Sequence, residues 1–509
     1  MERSVGHITR RGIYGLLAIG AIFAALMGTA VLLAGCRPAQ SAAPPSALEP
    51  YRPLLSTWEP EEVRYWEGLP RYTITATLNT AERTLQGKMH LRFTNREQSP
   101  IYELYLRLYP NLRQYGGRLR VSGVWSAGSP LPFEYDRADT ALKIPCTPPI
   151  QPGQWAELDA AFTLSWPAVD EGWVLFGESA GFLSLPYFYP TLAVHNGQGW
   201  HLDIPPAFAD AGFSEAAFYD VWLTLPTSLT LAGTGIQVEE LLQEGGMKQV
   251  HWRAGPVRDF VILGHARYQE LVREACGARI HSFFLPEDRA AGQAALDYAA
   301  SALCVYSDAY GPYPFTVMTV AEAPLTFHGM EFSGLNLLGM DTYRSHRDEL
   351  RYLTIHEVAH QWWYAQVGND PYNCAWLDEG LAEYSSYTYY ARVYGREEAE
   401  RLRTLRWEGP YAYARSQGQD KVLAQPADQF VSQRLYESMV YAKAALFFDA
   451  LRRAVGDDVY YAILQTYVRQ YRFRIAAPAD FFQVAGEVSR RDLTPLIQQW
   501  VLTAEGAAP

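Results

Sequence analysis

The chain has 509 residues, of which 49% are apolar and 19% charged, with a formal net charge of −12. That length exceeds a single hydrophobic core and the composition is that of folded protein, so two or three globular units are expected. An acidic chain with no Lys/Arg cluster outside its N-terminus offers no surface for a phosphate backbone, which sets nucleic acid aside as a partner.

The first 36 residues read as a targeting segment. Arg3, Arg10 and Arg11 precede an uncharged stretch from Ile13 to Ala34. Basic residues before an apolar run favour export of the downstream chain. Leu33-Ala34-Gly35-Cys36 resembles a bacterial lipobox, with Cys36 as the lipidated residue. The apolar run is also close to the ~20 residues that span a bilayer, so an uncleaved anchor is the competing reading. Either one predicts an extracytoplasmic body tethered to a membrane by a lipid or an anchor. Residues 37–64 are rich in Pro, Ala and Ser and read as a spacer.

From 65 to 284 the hydrophobic period is two. Tyr72, Ile74, Ala76 and Leu78 alternate with polar residues, as do Met89, Leu91 and Phe93, then Leu104, Leu106 and Leu108, and later Val221, Leu223 and Leu225. This predicts half-buried antiparallel strands. From 285 to 505 the period lengthens. A helix over Glu287 to Tyr310 stops at Gly311-Pro312, a short strand follows over Phe315 to Ala321, and most of the remainder reads as helix. The fold class is therefore multidomain α+β, a β-rich unit leading into a mixed and mainly helical one. Cys146, Cys276, Cys304 and Cys374 show no CxxC pairing and allow three disulfide connectivities, with buried reduced thiols an equal alternative.

The segment that carries chemistry is His356-Glu357-Val358-Ala359-His360. Residues four apart on a helix share a face, so the two imidazoles can bind one ion while Glu357 stands beside it as general base. Eighteen residues separate His360 from Glu379 in Trp376-Leu377-Asp378-Glu379-Gly380. A carboxylate from a second, returning helix completes a three-ligand zinc site with an open fourth position. Glu383, four residues on, is a candidate partner for a ligand histidine.

These residues resemble the gluzincin aminopeptidases related to aminopeptidase N and leukotriene hydrolase, over roughly Tyr72 to Trp500. HEVAHQWW at 356–363, WLDEG at 376–380 and HGMEF at 328–332 carry the resemblance. It implies a β saddle, a thermolysin-like catalytic domain, one zinc ion per chain and peptide substrates. By motif, Gly329, Met330 and Glu331 fall on a substrate-binding edge strand, with Glu331 anchoring the free α-amine. Tyr441, in Tyr441-Ala442-Lys443-Ala444-Ala445, becomes the oxyanion donor in preference to Tyr436.

There are departures from the family pattern. His328 and Phe332 replace a Gly and an Asn, and Ala444 replaces a Gly. The family's PCxDEP segment, a further contact near the amine, has no match; Leu185 to Pro190 stands roughly there without acids. The chain ends soon after Trp500, ahead of the helical-repeat domain of larger members, which implies a cleft open to longer peptides. The expected function is a zinc aminopeptidase. The alternatives are an endopeptidase or small-substrate hydrolase on the same site, and a binding protein without activity.

Overall fold

The computed structural model describes residues 47–167, 175–325 and 329–504. The targeting segment with Cys36, residues 37–46 and His328 lie outside them. Among the described residues no helix is long and apolar enough to cross a membrane.

The alternation produces strands as expected. Arg71–Asn79 buries every second residue, including Tyr72, Ile74, Ala76 and Leu78, on one face of an eight-stranded sheet. In that sheet the order runs Ile236–Gln243, Met247–Val257, Ala217–Pro226, Arg71–Asn79, Thr84–Thr94, Trp155–Ser165, Arg118–Ser126 and Ser129–Pro130. Every neighbouring pair is antiparallel except Arg71–Asn79 with Ala217–Pro226, which is parallel and so departs from the expected all-antiparallel pattern. Two four-stranded sheets complete this unit.

A further sheet has five strands, labelled here β1 (Gln269–Ala275), β2 (Ala278–Phe284), β3 (Val317–Ala323), β4 (Gly329–Phe332) and β5 (Leu335–Gly339). Their order is β1-β2-β3-β5-β4, with β4 antiparallel to β5 at the edge. The hairpin β1–β2, which its alternation grouped with residues 65–284, is thus hydrogen-bonded through β3 to the sheet that carries the site. A period of two fixes which side chains are buried but not which sheet a strand joins. Helix α1 (Arg289–Tyr310) packs on this sheet and on α2 (Arg347–Ala359), and α3 (Trp376–Val393) packs on α2. Cys276, in the β1–β2 turn, is disulfide-bonded to Cys304 of α1, while Cys146 and Cys374 are buried.

The expectation of an unpacked spacer over 37–64 does not hold for its described part. Leu48, Tyr51, Leu54 and Leu55 are buried, and Ser56 N–H donates to the Pro314 carbonyl at 2.7 Å. Four apolar side chains among the prolines are enough to dock the segment, and prolines suit the first turns of its helices over Glu49–Leu54 and Pro60–Trp66.

Arg258 and Asp259 join the two halves of the molecule. The buried Arg258 guanidinium donates to the carbonyls of Ser214, Tyr364, Gln366 and Arg474 at 2.5–3.3 Å. Asp259 accepts from Ser333 N–H and Oγ at 3.2 Å and from the Tyr364 hydroxyl at 2.7 Å. Charged groups are tolerated at such depth because nearly every lone pair and donor is used.

Candidate active site

The site forms where α2 crosses beneath the edge strand β4. Gln361 locks the two together: its Nε2 donates to the Phe332 carbonyl and to Asn336 Oδ1, and its Oε1 accepts from Gly334 N–H at 2.8 Å. Trp363 Nε1 donates to Ser385 Oγ at 2.8 Å, tying the end of α2 to α3. Gly380 makes room for the next layer. A Cβ there would stand 2.6 Å from Cβ of Ala444, so α3 lies close against the segment that carries Tyr441. That segment, Glu437–Lys443, is a π-helical turn, a distortion frequent at functional sites.

The four-residue spacing brings the imidazoles together edge-on, their planes 72° apart, with Nε2 of His356 and His360 3.2 Å apart. Glu379 Oε2 is 3.3 Å from His356 Nε2 and 3.4 Å from His360 Nε2. Burial opposes ionisation of Glu379, but the facing imidazoles prevail and hold its carboxyl well below the usual carboxylate range. His360 Nδ1–H donates to the Trp363 carbonyl at 3.0 Å, which leaves the Nε2 lone pair free for a metal. His356 Nδ1 is 3.8 Å from Oε1 of Glu383, so Glu383 sits on the expected side but beyond hydrogen-bond reach. Glu383 is instead held by Trp407 Nε1–H at 2.8 Å and by the Tyr352 hydroxyl.

The donors fit a zinc ion. Bonds of ~2.0–2.1 Å to a tetrahedral ion place its ligand atoms ~3.3–3.4 Å apart, which is the observed triangle. Two nitrogens and a carboxylate oxygen are also a donor set characteristic of catalytic zinc.

Around this triangle stand the other expected residues. Glu357 is buried, and its Oε2 has no hydrogen-bond partner among the described residues. Burial, reinforced by Glu331 and Glu379 against the two histidines, pushes its carboxyl up to about 8. Gly329 passes so close to Glu357 that no side chain fits between them. Tyr441 donates its hydroxyl to Glu379 Oε1 at 2.7 Å. Burial, with Glu379 and Asp210 adding, pushes its phenol well above the ordinary value and keeps it a donor. The Tyr436 ring lies 6.1 Å from that of Tyr441, and its hydroxyl has no hydrogen-bond partner among the described residues. Met330 lines the same cavity of about 940 Å³.

Sequence reasoning missed Asp210. Carboxylate oxygens of Asp210, Glu331 and Glu379 lie within 4.8 Å of one another. Burial and this crowding push both Asp210 and Glu331 well above the usual range. Leu185 to Pro190 supplies no acid but carries the platform for one. The loop bearing Asp210 rests on Tyr187, whose hydroxyl would be 1.9 Å from a Cβ on Gly212. The available signal was a lone aspartate ahead of Ala211-Gly212, a pattern shared by many loops.

Residues 294–500 match the model of the peptidase family M1 domain. This stretch is a peptidase family M1 domain. It contains the histidine pair, Glu379 and Tyr441. An M1 zinc metallopeptidase of Deinococcus radiodurans, studied as its E323A mutant, superposes with a TM-score of 0.64 at 21% identity, over 87% of this chain and 95% of that one. The same mutant bound to a Tyr-Ser-Ala substrate superposes with a TM-score of 0.63 at 20% identity. The β-rich unit followed by a mixed, largely helical one is thus the architecture of a two-part M1 fold.

Among curated relatives, a probable aminopeptidase 2 of Sulfurisphaera tokodaii is 21% identical over 290 residues, 53% of this chain and 36% of that protein. Aminopeptidase N of Streptomyces lividans is 26% identical over 171 residues, 31% of this chain and 19% of that one. The chain spans about a third of the length of the first curated relatives it matches.

Proposed function

We propose that the protein is a zinc aminopeptidase that removes residues from the free N-termini of peptides, with one zinc ion per chain. The observation that carries this reading is the triangle of His356, His360 and Glu379 set directly against the carboxylates of Glu331 and Asp210. Crowded buried carboxylates beside a metal site favour an ammonium group, and binding it relieves their mutual repulsion. The solved M1 neighbour bound to Tyr-Ser-Ala and the relatives' names support peptides as the substrate class.

Zinc held by His356, His360 and Glu379 supplies Lewis-acid activation of water and polarisation of the scissile carbonyl. Glu357 takes the proton of the attacking water and returns it to the leaving amine; its Oε2, with no other hydrogen-bond partner among the described residues, is available for that exchange. Tyr441 exchanges its bond to Glu379 for one to the developing oxyanion. Glu331 and Asp210 grip the α-ammonium and set the register, while Gly329 and Met330 flank the substrate backbone on the edge strand.

A tethered, extracytoplasmic location forms part of the same proposal. It rests on the N-terminal arginines, apolar run and lipobox-like Cys36, and the Cys276–Cys304 disulfide suits an oxidising compartment.

The test compares one peptide in free-amine and N-acetylated forms, with and without a zinc chelator. Chelator-sensitive release of single residues from the free form alone is expected. Equal cleavage of both forms would replace the exopeptidase reading with an endopeptidase.

A further inference from the structure

A buried ion pair outside the catalytic constellation is fastened to the turn that carries Tyr441. The side chains of Lys443 and Asp420 are 1% and 2% exposed, and Lys443 Nζ lies 2.8 Å from Asp420 Oδ1. Nζ also donates to the carbonyls of Lys421 at 2.7 Å and Thr503 at 3.2 Å. The three N–H donors of the ammonium thus have three acceptors. Around them, the Tyr411 hydroxyl donates to Asp420 Oδ2 at 3.4 Å, and the N–H groups of Leu423 and Ala424 donate to the Val501 carbonyl. Lys443 is bound to a frame made of the loop at 420–424 and residues 501–503.

A lysine at this depth calls for a reason other than stability. An apolar side chain of similar volume would fill the space without desolvating two charges. Its place in the chain supplies the reason. Lys443 closes the π-helical turn Glu437–Lys443, two residues after Tyr441. Positions two apart on a helix face different sides, and Tyr441 lines the active-site cavity while Lys443 does not. A single π turn lacks the regular ladder of an α-helix, so contacts outside it decide where its side chains point. On one side that contact is Ala444 against Gly380 of α3, and on the other it is Lys443 in its frame. We infer that Lys443, through Asp420, is a positioning residue that sets the rotation of this turn. It holds the Tyr441 hydroxyl at Glu379 Oε1, 2.7 Å away, and aims it at the oxyanion during turnover. The inference rests on the aminopeptidase reading with Tyr441 as oxyanion donor, and assigns the aim of that donor to an ion pair outside the cavity.

The experiment is a double-mutant cycle on alanine p-nitroanilide and trialanine, with zinc content and folded fraction measured for each protein. Lys443→Met is expected to lower kcat about tenfold, the scale of a slightly misplaced catalytic group, with KM and zinc content close to wild type. In the Tyr441→Phe background no hydroxyl is left to aim, and the same substitution should lower kcat less than about twofold. Asp420→Asn keeps an acceptor for Nζ but removes its charge. It should follow the same pattern with a smaller loss, and it carries the test if Lys443→Met fails to fold. An equal loss in both backgrounds would mean that the pair only maintains folded protein. An unchanged kcat would mean that the turn holds its aim without the pair. Either result overturns the inference and leaves the aminopeptidase reading standing. An unchanged kcat in Tyr441→Phe removes the donor and overturns the inference as well. Failure of wild type to hydrolyse both substrates overturns the aminopeptidase reading and this inference with it.

Discussion

Gly329 lies against Glu357 with no room for a side chain: a Cβ there would be 2.1 Å from Oε1, 2.3 Å from Cδ and 2.4 Å from Cγ. Three overlapping atoms cannot be relieved by a small rotation of a buried carboxylate. Gly329→Ala should displace Glu357, the proposed base, and lower kcat about a hundredfold, with a melting temperature lowered by about a few degrees through overpacking. Steady-state kinetics alongside a thermal melt would check both halves.

Glu357 is not in the ligand triangle, so its loss should separate metal binding from turnover. Glu357→Gln is expected to keep the wild-type zinc content by elemental analysis while kcat falls about a thousandfold. Retained turnover in that variant would refute its role as base.

Tyr441→Phe removes one hydroxyl, and with it the donor to Glu379 Oε1. If that hydroxyl acts on the oxyanion, kcat should drop about a hundredfold while KM and zinc content stay near wild type. A change confined to zinc affinity would mean that Tyr441 only orients Glu379.

Asp210 lies in the carboxylate cluster but outside the ligand triangle. Asp210→Asn should raise KM for free-amine peptides about tenfold and leave metal content alone. A lowered kcat with unchanged KM would point to positioning of Glu379 instead.

His201 and Asp370 pair across the two units at 3.1 Å. The hydrogen bond to Asp370 raises His201 above its ordinary 6.5, so its stabilisation is complete below 6.5 and fades as pH rises through the raised value. Burial opposes the charge on Asp370, but His201 and Asn373 hold it below its ordinary 3.8, so its share is complete above 3.8 and is lost as pH falls through the lowered value. The pair should therefore stabilise most between those two values. His201→Gln is expected to cost about 1 kcal/mol at pH 5 and markedly less at pH 8.5, as read from denaturant melts. A difference independent of pH would mean that packing and not charge is what the histidine supplies.

How much of the site is legible in the sequence depends on the range over which each signal acts. His356, Glu357 and His360 sit within one helical turn and a half, where spacing alone fixes geometry. Glu379 and Tyr441 are legible because Gly380 and Ala444 keep two helices in close contact, and both occur in recognisable short segments. Asp210 is not, because a loop has no period, and the contact of its neighbour Gly212 with Tyr187 joins residues far apart in sequence. The β1–β2 hairpin is grouped with the wrong neighbours for a related reason: pairing across 38 residues, as between Phe283 and Ala321 or Arg279 and Val317, leaves no trace in local alternation. The Cys276–Cys304 bond likewise depends on a turn meeting a helix, which four scattered cysteines cannot announce.

The guanidinium of Arg258 reaches carbonyls at residues 214, 364, 366 and 474, so one side chain draws on widely separated stretches of both units. Such a clamp forbids the molecule from opening like a book to admit substrate, since parting the halves would strand a buried charge among unsatisfied carbonyls. Entry and product exit must then rely on loop and side-chain movements at the rim of the cavity. It also makes the β-rich half a poor candidate for expression by itself, because cutting the chain after it would leave Arg258 without Tyr364, Gln366 and Arg474.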